Sequence, residues 1–244
     1  MSPRPLAERG AVLALALGAW LTVGAAGSGA GPGAADAAAD TRLTLERLMA
    51  EMARSRGVVA RFREVKEVSL LSAPIETRGE LAFAPPDRFV RRTREPAATA
   101  LYVDAEQLVF RDEAGGETVD LAADPVARRF VENLVVLWSG DLEALRERYE
   151  VSFEAEPQTE PQTGPAGETD PAAGARWQLR LRPRSAPMRD FVREIALRGA
   201  GPRLETMVLV ESDGDRTTTT FEALETDHVF SAEELERTFR PPAP

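Results

Sequence analysis

Two adjacent prolines, Pro85 and Pro86, interrupt a stretch of sequence that otherwise favours β-structure. Proline cannot donate a backbone hydrogen bond to a β-ladder, so it is confined to the ends, edges and corners of strands. Before the pair, Leu81 and Phe83 point to one face of a strand, and a second strand begins at Phe89 after it. The pattern predicts two strands that meet at a sharp corner and share an apolar face that something must cover.

Short strand-like segments separated by turn residues recur along most of the chain. β-Branched and aromatic residues mark the segments, and Asp, Gly and Pro mark the turns between them. The predicted strands cover 58–71, 75–83, 89–94, 100–103, 107–111, 150–156, 177–183, 191–198, 204–211 and 216–224. We therefore predict a mainly β protein, a half-open antiparallel β-barrel of about 11 strands, because an open or half-closed barrel is the natural way to house so many.

A few short amphipathic helices accompany the strands. They are predicted over 41–55, over 126–138, after the capping residue Asp141, and after the capping box formed by Ser231 and Glu234. In the first helix, Leu45, Leu48 and Met52 recur at helical spacing, and charged residues occupy the other face. Because each helix is apolar on one side only, we expect the helices to form a lid over the sheet. The alternative is that they simply complete the core.

The first residues of the chain form a separate unit. Arg4 and Arg9 precede an apolar run at 11–23, which small residues follow, and this arrangement is typical of a secretory signal peptide. A membrane anchor is the alternative, but the run is shorter than the roughly 20 residues that span a bilayer. We predict a cleaved signal peptide at 1–26, a flexible segment at 27–40 and an exported β-barrel domain at 41–244.

The chain contains no cysteine and carries a net charge of -10 at pH 7. Without cysteine it has neither a lipidation site nor a disulfide framework, and a domain of this size can be stable without one. Nucleic acid repels an acidic protein, so no nucleic-acid partner is expected. The segment 157–175 has no large apolar residue and lies between two predicted strands, which indicates a disordered insertion in a hairpin.

Candidate catalytic groups are few. His228 is the only histidine, so Cys/His metal sites and Ser/His/Asp arrangements are either absent or depend on one residue. Asp213 and Asp215 flank Gly214 as in part of a calcium loop, but the further ligands are missing, and a hairpin turn is the interpretation. We expect no enzyme activity, no cofactor and no metal.

Six segments follow one another in a recognisable order across 42–242. They are the first amphipathic helix, ARFREVKEV with Phe62, RGELAFAPPDRFVRR, LYVDAEQLVF, FVENLVVLWSGDLEAL and a C-terminal FRPP. In this order and spacing the chain resembles the outer-membrane lipoprotein carrier proteins of the LolA type and their periplasmic lipid-binding relatives. Two positions depart from that pattern, because Ala105 replaces a hairpin glycine and Pro85 replaces an arginine that tethers the lid in the best-known carriers.

The resemblance implies an unclosed β-barrel with a helical lid over an apolar cavity, and a function in carrying acyl chains of lipoproteins, or of another lipid, across the periplasm. The implied partners are the acylated lipoprotein or other lipid cargo, an inner-membrane transporter and an outer-membrane receptor or acceptor, and we expect a monomer. The competing interpretations are a periplasmic sensor or structural partner that uses the same fold without transport, and an enzyme. The side chains predicted to contact lipid are Phe62, Leu81, Phe83, Phe89, Leu108, Phe110, Phe130, Leu134, Trp138, Trp177 and Leu179.

Overall fold

The computed structural model describes residues 43–156, 174–201 and 203–242. The predicted signal peptide at 1–26, the segment at 27–40 and all but the last two residues of the insertion at 157–175 lie outside the described residues. These three features therefore stay predictions. In the part of the chain that is described, no helix is both long and apolar enough to cross a membrane.

The described ranges contain eleven strands and five short helices. The strands are β1 (Val58–Glu67), β2 (Ile75–Ala84), β3 (Arg88–Glu95), β4 (Thr99–Val103), β5 (Gln107–Asp112), β6 (Gly115–Asp120), β7 (Tyr149–Ala155), β8 (Arg176–Pro183), β9 (Val192–Ala200), β10 (Arg203–Glu211) and β11 (Arg216–Glu225). The helices are α1 (Leu45–Ala53), α2 (Pro125–Ser139), α3 (Leu142–Arg148), α4 (Met188–Phe191) and α5 (Ala232–Phe239).

All of these strands join one antiparallel sheet in the order β6-β5-β4-β3-β2-β1-β11-β10-β9-β8-β7. β1 lies at the centre because β11, the last strand, returns to pair with it, Val65 lying opposite Thr218. Among the described residues the edge strands β6 and β7 do not pair with each other, so the sheet stays open. The prediction of a mainly β, half-open antiparallel barrel with short helices is confirmed.

Helices α2 and α3 connect the two edges of the sheet. β6 ends at Asp120 and β7 begins at Tyr149 on the opposite edge, so the chain between them has to cross one whole face. Asp124 starts α2 by accepting hydrogen bonds from the backbone N–H groups of Val126 and Ala127, both at 3.0 Å. Gly140 ends it with a left-handed φ of 72°. The topology itself places these helices over the sheet.

The two faces of the sheet carry separate apolar cores. The inner face, which carries Phe62 and Phe83, packs against α1, α2 and α3. The outer face, which carries Val90 and Tyr102, packs against Phe239 of α5. Alternation along each strand sends successive side chains to opposite faces, and this is why one sheet can support both cores. The large inner core holds the candidate site.

The structure differs from the predicted elements at three places. The first strand ends at Glu67 rather than at 71. Residues 115–120 form the edge strand β6, where no strand is predicted, because its side chains are mostly exposed and carry no apolar alternation. The single-turn helix α4 also escaped prediction, since four residues are too few to show a helical period.

Candidate ligand-binding cavity

A cavity of about 300 Å³ lies between the helices and the inner face of the sheet. We call it the apolar cavity, because most of its wall is hydrocarbon. Its apolar lining residues are Met49, Met52, Val58, Leu137, Trp138, Leu145, Trp177, Leu179, Leu181, Leu197, Leu204 and Leu224. They come from α1, α2, α3 and the strands β1, β8, β9, β10 and β11, so the cavity forms only when these helices and this part of the sheet assemble.

Strand β8 forms one wall of the cavity, because its side chains alternate between the two faces of the sheet. Trp177, Leu179 and Leu181 point inward and are buried, and Leu179 lies opposite Leu197 of β9. The indole N–H of Trp177 donates a hydrogen bond of 2.7 Å to the carbonyl of Gly201, which fixes the ring and satisfies its buried donor. This wall therefore presents hydrocarbon to the cavity and leaves no Trp177 donor for a ligand.

The polar residues of the lining are confined to two short segments, which form the opening of the cavity. One segment, at the end of α1, contributes Glu51, Arg54 and Ser55, and the other, after β11, contributes Thr226 and Asp227. The Ser55 hydroxyl donates to the carbonyl of Thr226 and so joins the two segments. Three of these five side chains are exposed, whereas the apolar lining is buried or half-buried.

An ion pair also ties the two segments of the opening together. Arg56 Nε donates to Asp227 Oδ1 at 2.9 Å, and the Arg56 backbone N–H donates to the same oxygen at 3.2 Å. These hydrogen bonds from Arg56 lower the pKa of the Asp227 carboxyl from 3.8 to about 2. Asp227 is therefore charged at neutral pH and holds the Arg56 guanidinium beside the opening.

Such an arrangement suits an apolar ligand with a polar end. The interior walls offer dispersion contacts and exclude water, and the described lining has no ionisable group away from the opening. At about 300 Å³ the cavity is at the lower end of the range for small-molecule sites, about 300–1,000 Å³. A hydrocarbon chain inside with a polar group at the opening matches this distribution.

Three of the residues predicted to contact lipid line the apolar cavity, namely Trp138, Trp177 and Leu179. The others are not among its described lining residues. Seven of them are buried in the inner core, and these are Phe62, Leu81, Phe83, Phe89, Leu108, Phe130 and Leu134. Phe110 is half-buried. Lipid contact at all eleven positions stays a prediction.

Several lining residues were not among those predicted. Met49 and Met52 belong to the apolar stripe of α1, and Leu181, Leu197 and Leu224 to inward-facing strand positions. The periodicity of two or 3.6 residues shows which side of an element is covered. It does not show whether the neighbouring element packs against the side chain or leaves empty space beside it. The sequence therefore predicts these residues only as ordinary core.

A buried ion pair occupies the inner face beyond the cavity. Arg91 Nη2 donates to Glu64 Oε1 at 2.9 Å, and both side chains are at most 10% exposed. Thr219 donates to the other carboxylate oxygen at 2.9 Å. The Arg91 guanidinium also lies 4.4 Å above the centre of the Phe62 ring. The sequence does not predict this pair, because so many arginines in β3 are typical of a strand that faces solvent.

Two other groups considered in the sequence are held by the protein itself. His228 Nδ1 lies 3.0 Å from Glu225 Oε1, and its ring packs against Phe230. The carboxylates of Glu211, Asp213 and Asp215 come together in the β10–β11 turn, with ligand atoms within 4.8 Å of one another.

The protein's own groups occupy the two ends of this carboxylate cluster. Lys66 Nζ donates to Glu211 at 2.6 Å, and the Ser69 backbone donates to Asp215 at 3.0 Å. Burial raises the pKa of the Glu211 carboxyl, and the hydrogen bond from Lys66 opposes that shift. The arrangement is that of a hydrogen-bonded hairpin turn.

The fold and the cavity together define a half-open antiparallel β-barrel with helices across its inner face and an apolar interior. The chain belongs to the outer membrane lipoprotein carrier protein LolA-like family, whose model matches residues 34–237. No curated protein sequence matches the chain.

The chain is also similar to several solved structures, at low sequence identity. The crystal structure of MucB is 17% identical with a TM-score of 0.43, and the match covers 84% of this chain and 64% of MucB. A putative outer membrane lipoprotein-sorting protein domain from Vibrio parahaemolyticus is 9% identical, with coverages of 79% and 95% and a TM-score of 0.41. A LolA superfamily protein from Nitrosomonas europaea is 8% identical, with coverages of 79% and 97% and a TM-score of 0.39.

Proposed function

We propose that this protein is a periplasmic carrier that holds acyl chains of lipoproteins, or of another lipid, in the apolar cavity and shuttles them toward the outer membrane. The observation that carries the proposal is the division of the cavity into a hydrocarbon interior and a polar opening. An acylated molecule has the same division, with an apolar chain and a polar head. Membership of the LolA-like family supports the same function.

The size of the cavity suits reversible binding. Each methylene group removed from water contributes about 0.8 kcal/mol, so a chain that buries eight to ten of them gains roughly 6–8 kcal/mol. Association offsets part of this gain through lost translational and conformational freedom. The resulting dissociation constant is on the order of micromolar or weaker. A carrier that has to release its cargo to an acceptor needs affinity of this order.

The polar opening suits a head group that stays in water. Glu51 and Arg54 are exposed at the end of α1, and the pair of Arg56 and Asp227 stands beside them. Charges of both signs are present, so the opening does not exclude either an anionic or a zwitterionic head group. The choice among ligands therefore depends on their hydrocarbon part, which contacts the interior of the cavity.

A fluorescent acyl probe, such as a dansylated fatty acid, tests the proposal. Leu204 lines the cavity and is half-buried, so Leu204→Glu should place a carboxylate against the probe while the fold survives. Leu70, which is 92% exposed in the β1–β2 loop, provides the matched control, Leu70→Glu. We expect at least a tenfold loss of probe affinity in the first variant, equivalent to about 1.4 kcal/mol, and none in the second.

Two outcomes would count against the carrier. Unchanged probe binding by Leu204→Glu would show that the probe does not bind in the apolar cavity. Failure of the unaltered, folded protein to bind any acyl probe would favour the competing interpretation, a periplasmic sensor or structural partner with the same fold and no transport. Circular dichroism of each variant shows whether the fold is retained.

A further inference from the structure

Strands β10 and β11 part from each other at the end of the sheet that carries the opening. The pairing of β10 with β11 ends at Thr206 and Thr220. Beyond these residues each strand stays paired with its other neighbour, β9 or β1, but the described residues of the two strands no longer pair with each other. We call the space between residues 203–205 of β10 and 221–225 of β11 the strand gap.

Two β-bulges give a physical reason for this separation. The pairing of β11 with β1 skips Glu222, and the pairing of β10 with β9 skips Glu205. Both bulges lie just beyond the last pair between β10 and β11, Thr206 and Thr220. A bulge bends its strand and strengthens its twist, so two bulges at one level favour strands that part. The strand gap is therefore a consequence of the register of the sheet.

The apolar cavity reaches the strand gap from the inner side. Leu204 of β10 and Leu224 of β11 line the cavity and stand on the two sides of the gap. Both are half-buried, whereas Leu181 and Leu197 of the same lining are at most 4% exposed. Solvent therefore reaches the lining where the strands part. The gap continues the opening, because the polar segment after β11 begins where the gap ends.

A polar groove of about 530 Å³ lies at the other side of the gap, on the outer face beside α5. Arg203 stands on one side of the gap and Ala223 on the other, and both line the groove. Arg61 and Glu80 continue the lining across β1 and β2, Arg61 lying opposite Ala223. Ala223 is exposed and small, so this position of β11 leaves the groove open. Leu224 belongs to the linings of both the groove and the cavity.

We propose that the strand gap is a side passage from the apolar cavity to the outer face, and that a bound amphiphile extends its polar head group through it into the groove. The inference rests on the proposed carrier function and adds to it the position of the head group. The hydrocarbon chain lies on the inner side against Leu204 and Leu224, and the head group lies beside Arg61 and Arg203. A carrier built in this way can hold a ligand whose head group is too large for the cavity.

Single cysteines can report where the head group lies, because the chain has no cysteine of its own. Ala223→Cys places a thiol on the outer face beside the gap, where the head group should cover it. Thr218→Cys is the matched control, since Thr218 lies on the outer face of β11 where that strand is paired with β10. The ligand is dodecanoyl lysophosphatidylcholine below its micelle-forming concentration. The measurement is the rate at which a maleimide modifies each thiol with and without this ligand.

At a ligand concentration about ten times the dissociation constant, only about a tenth of the protein is free, so modification of Ala223→Cys should slow about tenfold. The rate for Thr218→Cys should not change. Arg54→Cys, at the opening beside α1, reports the alternative position. A head group that stayed there would protect Arg54→Cys and leave Ala223→Cys unprotected. Circular dichroism shows whether each variant keeps the fold.

The outcomes separate the two proposals. If the unaltered protein binds neither lysophosphatidylcholine nor the fluorescent acyl probe, the carrier function is wrong and the side passage with it. Binding of the acyl probe but not of lysophosphatidylcholine would overturn the side passage alone. The same holds for lysophosphatidylcholine binding that leaves the rate for Ala223→Cys unchanged. Equal slowing for Ala223→Cys and Thr218→Cys would also contradict the passage, because it would show lipid spread over the outer face.

Discussion

The Arg91 guanidinium donates to the Glu64 carboxylate at 2.9 Å in an ion pair that is buried on the inner face of the sheet. The two residues stand on β3 and β1, with β2 between them, and the pair therefore spans three strands. Thr219 of β11 extends the same network to a fourth strand. A polar network at the centre of an otherwise apolar face costs desolvation energy, and its hydrogen bonds offset that cost only while all partners remain.

The first prediction concerns this pair. Arg91→Met should destabilise the protein by about 3–5 kcal/mol, because it leaves the Glu64 carboxylate buried without its cation. The double variant Arg91→Met/Glu64→Leu should recover most of that loss, since no unpaired charge is left. Urea unfolding measures both. Arg94→Met is the control, because its pair with Glu80 is exposed and should change stability by less than about 1 kcal/mol.

The second prediction concerns the close approach of α1 to the end of α2. Gly140 has a left-handed φ of 72°, and a Cβ there would lie 2.6 Å from the Met49 carbonyl oxygen and against the Ala53 backbone N. Gly140→Ala should therefore cost about 2–5 kcal/mol through combined backbone strain and overpacking. Gly214 also has a positive φ, 99°, but open space around it, so Gly214→Ala should cost only about 1–2 kcal/mol. Equal losses in thermal unfolding would argue against the packing contact.

The third prediction distinguishes the cavity wall from the filled core. Leu134 is 4% exposed and is not among the described lining residues, so Leu134→Glu should destabilise the fold by about 2–5 kcal/mol. Leu204→Glu, at the cavity wall, should lose the acyl probe with a much smaller fall in the thermal midpoint. A stable Leu134→Glu protein that has lost the probe would show that α2 opens and that Leu134 faces the ligand.

The fourth prediction concerns pH at the opening of the cavity. Hydrogen bonds from Arg56 lower the pKa of Asp227 from 3.8 to about 2. Since the folded-state pKa is the lower one, the pair stabilises the fold above pH 3.8, and this contribution is lost as the pH falls toward 2. NMR titration of the carboxyl carbons should show that Arg56→Gln returns the pKa of Asp227 toward 3.8. Arg61→Gln, which removes an exposed arginine of β1, should leave the pKa of Asp227 at about 2.

Much of the fold follows from local pattern. The prolines at 85 and 86 do stand between two paired strands, and Leu81 and Phe83 do share the buried inner face. The capping residues Asp124 and Ser231 start helices where the sequence predicts them. These features depend on hydrogen bonds and periodicity within a few residues, which a single sequence displays directly.

The position of the cavity does not follow from local pattern. Phe62 and Trp138 have the same apolar character in the sequence, yet Phe62 is buried in the filled core under the Arg91 guanidinium, whereas Trp138 borders the cavity. That difference depends on how α2 crosses strands far apart in the chain, and therefore on the whole sheet. For the same reason the partner of Arg91, 27 residues away on another strand, could not be found from spacing.

The central claim is that the apolar cavity carries a lipid chain, and the most direct test is mass spectrometry of the native protein recovered from an osmotic-shock fraction. We expect a protein that has lost residues 1–26, or a somewhat longer N-terminal segment, and that carries co-purifying lipid. The Leu204→Glu variant should carry less of this lipid than the Leu70→Glu control. Native protein that is free of lipid, or lipid retained equally by both variants, would contradict the account.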